Sequence, residues 1–93
     1  MTEDRILSLH PQGKKGVNIE LSKYLTLREV VLECLSTREM TATEIFRCSE
    51  ERLSGDFEGS VGWYAESVKL DLEARGIIAR SKKGGKVVYG IIP

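Results

Sequence analysis

The stretch SVGWYAESVKLDLEARG at residues 60–76, followed by IIAR at 77–80, SKKGGK at 81–86 and VVYGI at 87–91, decides how this chain folds. Val61, Ala65, Val68 and Leu72 recur at three- and four-residue steps, so they share a narrow arc of one helix with Tyr64 at its edge. Gly76 supplies the backbone freedom that suits a helix C-terminus. Ile77–Arg80 and Val87–Ile91 then read as two strands joined at Ser81–Lys86 around the Gly84-Gly85 pair. The C-terminal third is therefore a helix followed by a hairpin.

Working outward, Thr41-Ala42-Thr43-Glu44 is a capping box, in which Thr41 bonds forward and Glu44 reaches back. It opens a helix with Ala42, Ile45, Phe46, Ser49 and Leu53 inward, and Gly55-Asp56-Phe57-Glu58-Gly59 turns the chain into the helix that Gly59 or Ser60 begins. Further upstream, Ser22 is positioned to cap a helix running to about Leu35, whose broad apolar face is Tyr24, Leu27, Val30, Val31, Cys34 and Leu35. Leu25 and Leu32 fall outside that face and form a second, narrower stripe. Val17, Ile19 and Leu21 alternate with Asn18 and Glu20 as a half-buried strand does, and Ile6–Leu9 is its candidate partner. The connection, HPQGKKG at 10–16, is a loop, because Pro11 disfavours a helix there and Gly13 and Gly16 permit tight turns.

Three helices followed by a hairpin, with strand material before the first helix, give an α+β chain in the order of a winged helix. Residues 1–93 form one domain on this reading, with 1–21 as an N-terminal arm or hairpin. At 93 residues the chain buries about 60 to 65 per cent of its unfolded surface, which allows one modest core. Residues 72–80, LEARGIIAR, resemble the Leu-Glu-x-x-Gly-Leu-Ile-x-Arg ending of the third helix and first wing strand in multiple-antibiotic-resistance-type regulators. HPQGKKGV at 10–17, GSVGWY at 59–64 and VKLDLEARG at 68–76 resemble a group of small uncharacterised bacterial proteins over nearly the whole chain. That second resemblance implies the same fold and no activity.

Net charge is zero but unevenly spread. Residues 76–93 carry Arg80, Lys82, Lys83 and Lys86 and no acid, whereas residues 23–59 carry five basic and eight acidic side chains. A strong nucleic-acid binder shows a broader basic footprint; here only the hairpin has one. Cys34 and Cys48 lie beside apolar residues inside helical patterns and outside any CxxC or Cys/His cluster, which reads as two buried, reduced thiols. With His10 as the sole histidine, no metal site is implied, nor any cofactor. No apolar run reaches membrane-spanning length and no secretory leader opens the chain, so a cytoplasmic protein without membrane contact is expected.

The outward arc of the third helix holds Trp63, Glu66, Ser67, Leu70 and Ala74. A base-reading helix presents Arg, Lys, Asn, Gln, Ser or Thr to the major groove, whereas this arc offers an indole, a leucine, one serine and an acid. Glu66, Asp71 and Glu73 also outnumber Lys69 and Arg75, so the helix repels phosphate. The wing suits nucleic acid better, because Arg80, Lys82, Lys83 and Lys86 can contact a duplex backbone without reading bases. Lys14 and Lys15 can add two contacts if their loop lies near the wing, although GKKG lacks the spacing of a nucleotide-binding loop. No Ser/His/Asp or Cys/His constellation marks a catalytic site, and none is expected.

Two functions follow from the sequence. The leading one is a DNA-binding winged helix, a transcriptional regulator contacting double-stranded DNA weakly and mainly non-specifically through its basic wing. The alternative is a protein-interaction or homodimerisation module in which Trp63 and Leu70 on the third helix, and Leu25 and Leu32 on the first, form the contact surface; otherwise Trp63 and Leu70 simply pack under the first helix or the N-terminal arm.

Overall fold

The computed structural model describes residues 4–53, 55 and 57–93. Its elements run β1 (Arg5–Leu7), β2 (Asn18–Glu20), α1 (Leu21–Thr37), α2 (Ala42–Arg52), α3 (Val61–Ala74), β3 (Ile78–Lys83) and β4 (Lys86–Ile91). They make an α+β chain of three helices and two small antiparallel sheets, β1 with β2 and β3 with β4. Met40, between α1 and α2, adds a bridge to Tyr89 of β4, with reciprocal backbone hydrogen bonds of 3.1 and 2.7 Å. The arrangement is compatible with a winged-helix-like domain.

All six residues of the expected α1 face are buried: Tyr24, Leu27, Val30, Val31, Cys34 and Leu35. They pack with Ile19, Met40, Ile45, Leu53, Ala65, Val68, Leu72, Ile78 and Tyr89 around one core. The helix itself starts one residue before Ser22, directly from β2, and no side chain caps it. The reason lies in the arm, because the Leu21 N–H donates to the carbonyl of Asp4, just before β1, at 2.8 Å, and the arm thus satisfies a free group at the helix start. At the other end α1 outlasts Leu35, because the Ser36 and Thr37 hydroxyls donate to the carbonyls of Glu33 and Cys34.

The capping box of α2 forms as read: the Glu44 N–H donates to the Thr41 hydroxyl at 3.2 Å and the Thr41 N–H to the Glu44 carboxylate at 2.9 Å. Ile45, Ser49 and Leu53 point inward as expected. Ala42 and Phe46 do not. Phe46 leans on Gly62 of α3 instead, so close that a Cβ at position 62 would stand 3.0 Å from its ring. Of the turn read over residues 55–59, Asp56 lies outside the described residues, as do residues 1–3 of the arm. Ser60 caps α3 by accepting from the Trp63 N–H at 3.2 Å.

The cysteines are a correction. Cys34 and Cys48 are joined as a disulfide, not held as free thiols. Their separation of 14 residues places them on the facing sides of α1 and α2, with Cα atoms 6.2 Å apart, inside the range a disulfide spans. The wing differs too: β3 and β4 run to Lys83 and from Lys86, leaving Gly84 and Gly85 as a two-residue turn with φ of 58° and 80°. Those angles are costly for residues bearing a Cβ and natural in a tight hairpin.

Candidate interaction surfaces on the first and third helices

The structure places the N-terminal arm against α3. Its anchor is Asp71, which is fully buried. One carboxylate oxygen accepts from the Leu9 N–H at 2.8 Å; the other accepts from the Tyr24 hydroxyl and from Arg75 Nε at 2.8 Å. Burial, and then the hydrogen bond to Asp71, raise the Tyr24 hydroxyl above its ordinary value of 10.0. The hydrogen bond to Asp71 likewise raises Arg75. One carboxylate thus ties the arm, α1 and α3 together.

The loop itself is shaped for this seat. Ser8 is buried, donates its N–H to the Val17 carbonyl at 2.9 Å, and accepts the Val17 N–H on its hydroxyl at 3.0 Å. Gly16 passes so close to the Ser8 carbonyl that a Cβ there would fall 1.6 Å from its oxygen, so only glycine fits. Ser8, Leu9, His10, Lys15, Gly16 and Val17 then line a small crevice of about 60 Å³ with Ser67 and Leu70 of α3. Leu70, expected at a contact surface, is half-buried beneath the arm.

The wing covers the opposite flank of α3. Lys69 is buried, with Nζ 3.2 Å from the Tyr89 hydroxyl, 4.4 Å from the centre of the Tyr89 ring and 3.1 Å from Glu66. Arg80 grips Glu73 with two hydrogen bonds of 2.9 and 3.2 Å, and its guanidinium carbon stands 5.8 Å from the Tyr89 ring centre. The hydrogen bonds to Glu73, reinforced by the nearby Tyr89, raise Arg80 further above its ordinary value. Between arm and wing, the exposed part of the α3 arc holds Trp63 and Glu66.

The cations read as a phosphate-contacting wing are dispersed. Direct pairing of Arg80 with Tyr89 and of Lys82 with Val87 puts Arg80 and Lys82 on one face of the ribbon; Lys83 and Lys86, paired with each other, lie on the opposite face. Arg80 is held by Glu73 and Lys83 by Glu39. The side chains of Lys82 and Lys86 are exposed and make no hydrogen bond or ion pair among the described residues. Lys14 and Lys15 are exposed in the arm loop, where Lys15 borders the crevice beside Ser67 and Leu70.

Of the four apolar residues read as a contact surface, Trp63 and Leu25 stay exposed. Trp63 is 47% exposed and stacks edge-on against Tyr64, which meets Phe57 the same way. Leu25 is 48% exposed and Leu32 half-buried, both on an open groove of about 530 Å³ along α1. Sequence reasoning missed Lys69 and Asp71. They flank the core arc of α3 on either side, and the pairings of Lys69 with Glu66 at i,i+3 and of Asp71 with Arg75 at i,i+4 were their local signals.

No helix among the described residues is long and apolar enough to cross a membrane, and these residues contain no cluster of three metal-ligating side chains. Geometry thus defines an α+β arrangement whose third helix is flanked by the N-terminal arm and the β3–β4 hairpin. The chain belongs to a family of unknown function, DUF6958, whose model matches residues 5–88. No curated protein and no solved structure matches it.

Proposed function

We propose that the chain is a winged-helix module that associates with itself, and that its third helix does not read DNA sequence. The seating of the arm on α3 carries this reading. Ser67 and Leu70 lie under the arm loop, Lys69 and Glu73 are engaged by the wing, and Glu66 is the exposed polar residue that remains near the centre of the arc. A carboxylate there repels phosphate and has no bidentate match to a guanine edge. Exposed Leu25 with Leu32 supplies the apolar patch that self-association uses, and a two-fold axis requires only one self-complementary surface.

Measurement of the mass in solution by light scattering tests the reading. The expected mass rises with concentration to twice the 10.4 kDa of one chain, and a mass that stays at 10.4 kDa contradicts it. Selection from a pool of random duplexes tests the other half: no sequence should be enriched, and a defined enriched site would overturn it.

A second reading rests on Lys82, Lys86, Lys14 and Lys15, whose ammonium groups are exposed. It is weak, non-specific contact with the backbone of double-stranded DNA, in which the wing positions the molecule without reading bases.

A further inference from the structure

Resting on the self-association reading, we infer that two copies pair through α1 in antiparallel fashion, about a two-fold axis passing between Arg28 and Glu29. Leu25, Arg28, Glu29, Leu32, Glu33 and Ser36 line the groove on this helix. Leu25 also borders a second hollow with Asp4, Leu21 and Ser22, so the open strip continues from Leu21 to Ser36. Along it Leu21, Leu25, Arg28 and Leu32 succeed one another at steps of four, three and four, the spacing of a helix-pairing seam.

The charges select the occupant. The side chains of Arg28 and Glu29 make no hydrogen bond or ion pair among the described residues. An arginine at a helix seam with no carboxylate of its own chain calls for one from elsewhere. With the axis between positions 28 and 29, antiparallel α1 helices set Leu25 against the partner's Leu32 and Arg28 against the partner's Glu29, and symmetry repeats both contacts. A parallel pairing in register would instead set Arg28 against Arg28 and Glu29 against Glu29, a repulsive arrangement. Glu33 remains with Arg52 of its own chain at 3.3 Å.

Sedimentation equilibrium of Arg28→Glu, Glu29→Arg and the double variant tests the pairing, with circular dichroism to confirm that each chain is folded. Each single change creates two like-charge contacts and is expected to weaken the dimer at least roughly tenfold. The double change restores opposite charges across the axis and is expected to recover most of that loss. Leu32→Glu, on the same seam, is expected to give monomer and serves if Arg28→Glu fails to fold. A dimer indifferent to all of these changes overturns the α1 pairing and leaves self-association through another surface, such as Trp63. A wild-type chain that is monomeric at every concentration overturns the pairing and the self-association reading together.

Discussion

At the scale of single residues, Asp71 is the side chain on which most depends. It is a buried carboxylate serving three donors from three parts of the chain, Leu9, Tyr24 and Arg75. Removing it leaves a buried hydroxyl and a backbone N–H unpaired beside an arginine that has lost its partner. Asp71→Ala is therefore expected to cost about 2–6 kcal/mol in urea unfolding, from about 1–3 kcal/mol for each of the two groups left without a partner. Surface acids such as Glu50 are expected to cost less than about 0.5 kcal/mol. The contrast also marks what the sequence discloses. The six inward residues of α1 were legible because helical periodicity is local. Lys69 and Asp71 were not, since the groups that satisfy them, Tyr89 and Leu9, lie 20 and 62 positions away. Phe46 was misplaced for a related reason: its pattern is apolar-inward, yet Gly62 offers its ring a flat seat at the surface.

At the scale of elements, the α2 cap, the α1–α2 crosslink and the wing each make a separate expectation. Hydrogen bonding to the Thr41 N–H, and then to Arg38, lowers the Glu44 carboxyl below its ordinary value of 4.5. A lowered folded value means that Glu44 stabilises fully above the unfolded value and loses that contribution as pH falls through the folded one. Stability measured from neutral pH into acid should accordingly fall less steeply for Glu44→Gln than for the wild type.

The disulfide closes a 14-residue separation, for which loop-closure entropy is worth about 3 kcal/mol. Reduction, or paired Cys34→Ser and Cys48→Ser changes, should lower the melting temperature by about 12–24 °C, given about 4–8 °C per kcal/mol in a domain of this size. An unchanged melting curve under reductant would show that packing of α1 on α2 suffices without the bond. The capping box was legible because its four residues are contiguous; the disulfide was not, because the sequence does not reveal that positions 34 and 48 face each other. The hairpin was read correctly as a hairpin, but its tip was drawn too wide. Gly84 and Gly85 make the whole turn, which moves Ser81 to Lys83 and Lys86 into paired strands. With Arg80 and Lys83 committed to acids, only Lys82 and Lys86 are left to displace counterions. If the wing meets duplex DNA at low salt, the logarithm of affinity should fall with the logarithm of salt at a slope of about −1.8 from the wing. A slope near −3.6, the value for four phosphate contacts, would mean that Arg80 and Lys83 leave Glu73 and Glu39 on binding.

At the scale of the whole molecule, the N-terminal arm and the C-terminal wing converge on α3 from opposite sides and leave α1 with an open face. That division follows from the long-range contacts of Asp71 and Lys69 rather than from any local pattern, which is why the sequence supported a DNA-binding module and a protein-binding one side by side. Charge does the same at larger scale: the basic excess of residues 76–93 is drawn partly into ion pairs with Glu39 and Glu73, and the surface it offers to phosphate shrinks. The proposed self-association through α1 would turn the Leu25–Leu32 stripe inward. Sedimentation equilibrium of the wild-type chain beside Leu32→Glu, from micromolar to millimolar concentration, tests this most directly. A wild-type dimer and a folded Leu32→Glu monomer are expected; a wild-type monomer throughout, or a Leu32→Glu dimer as tight as the wild type, would contradict pairing through α1.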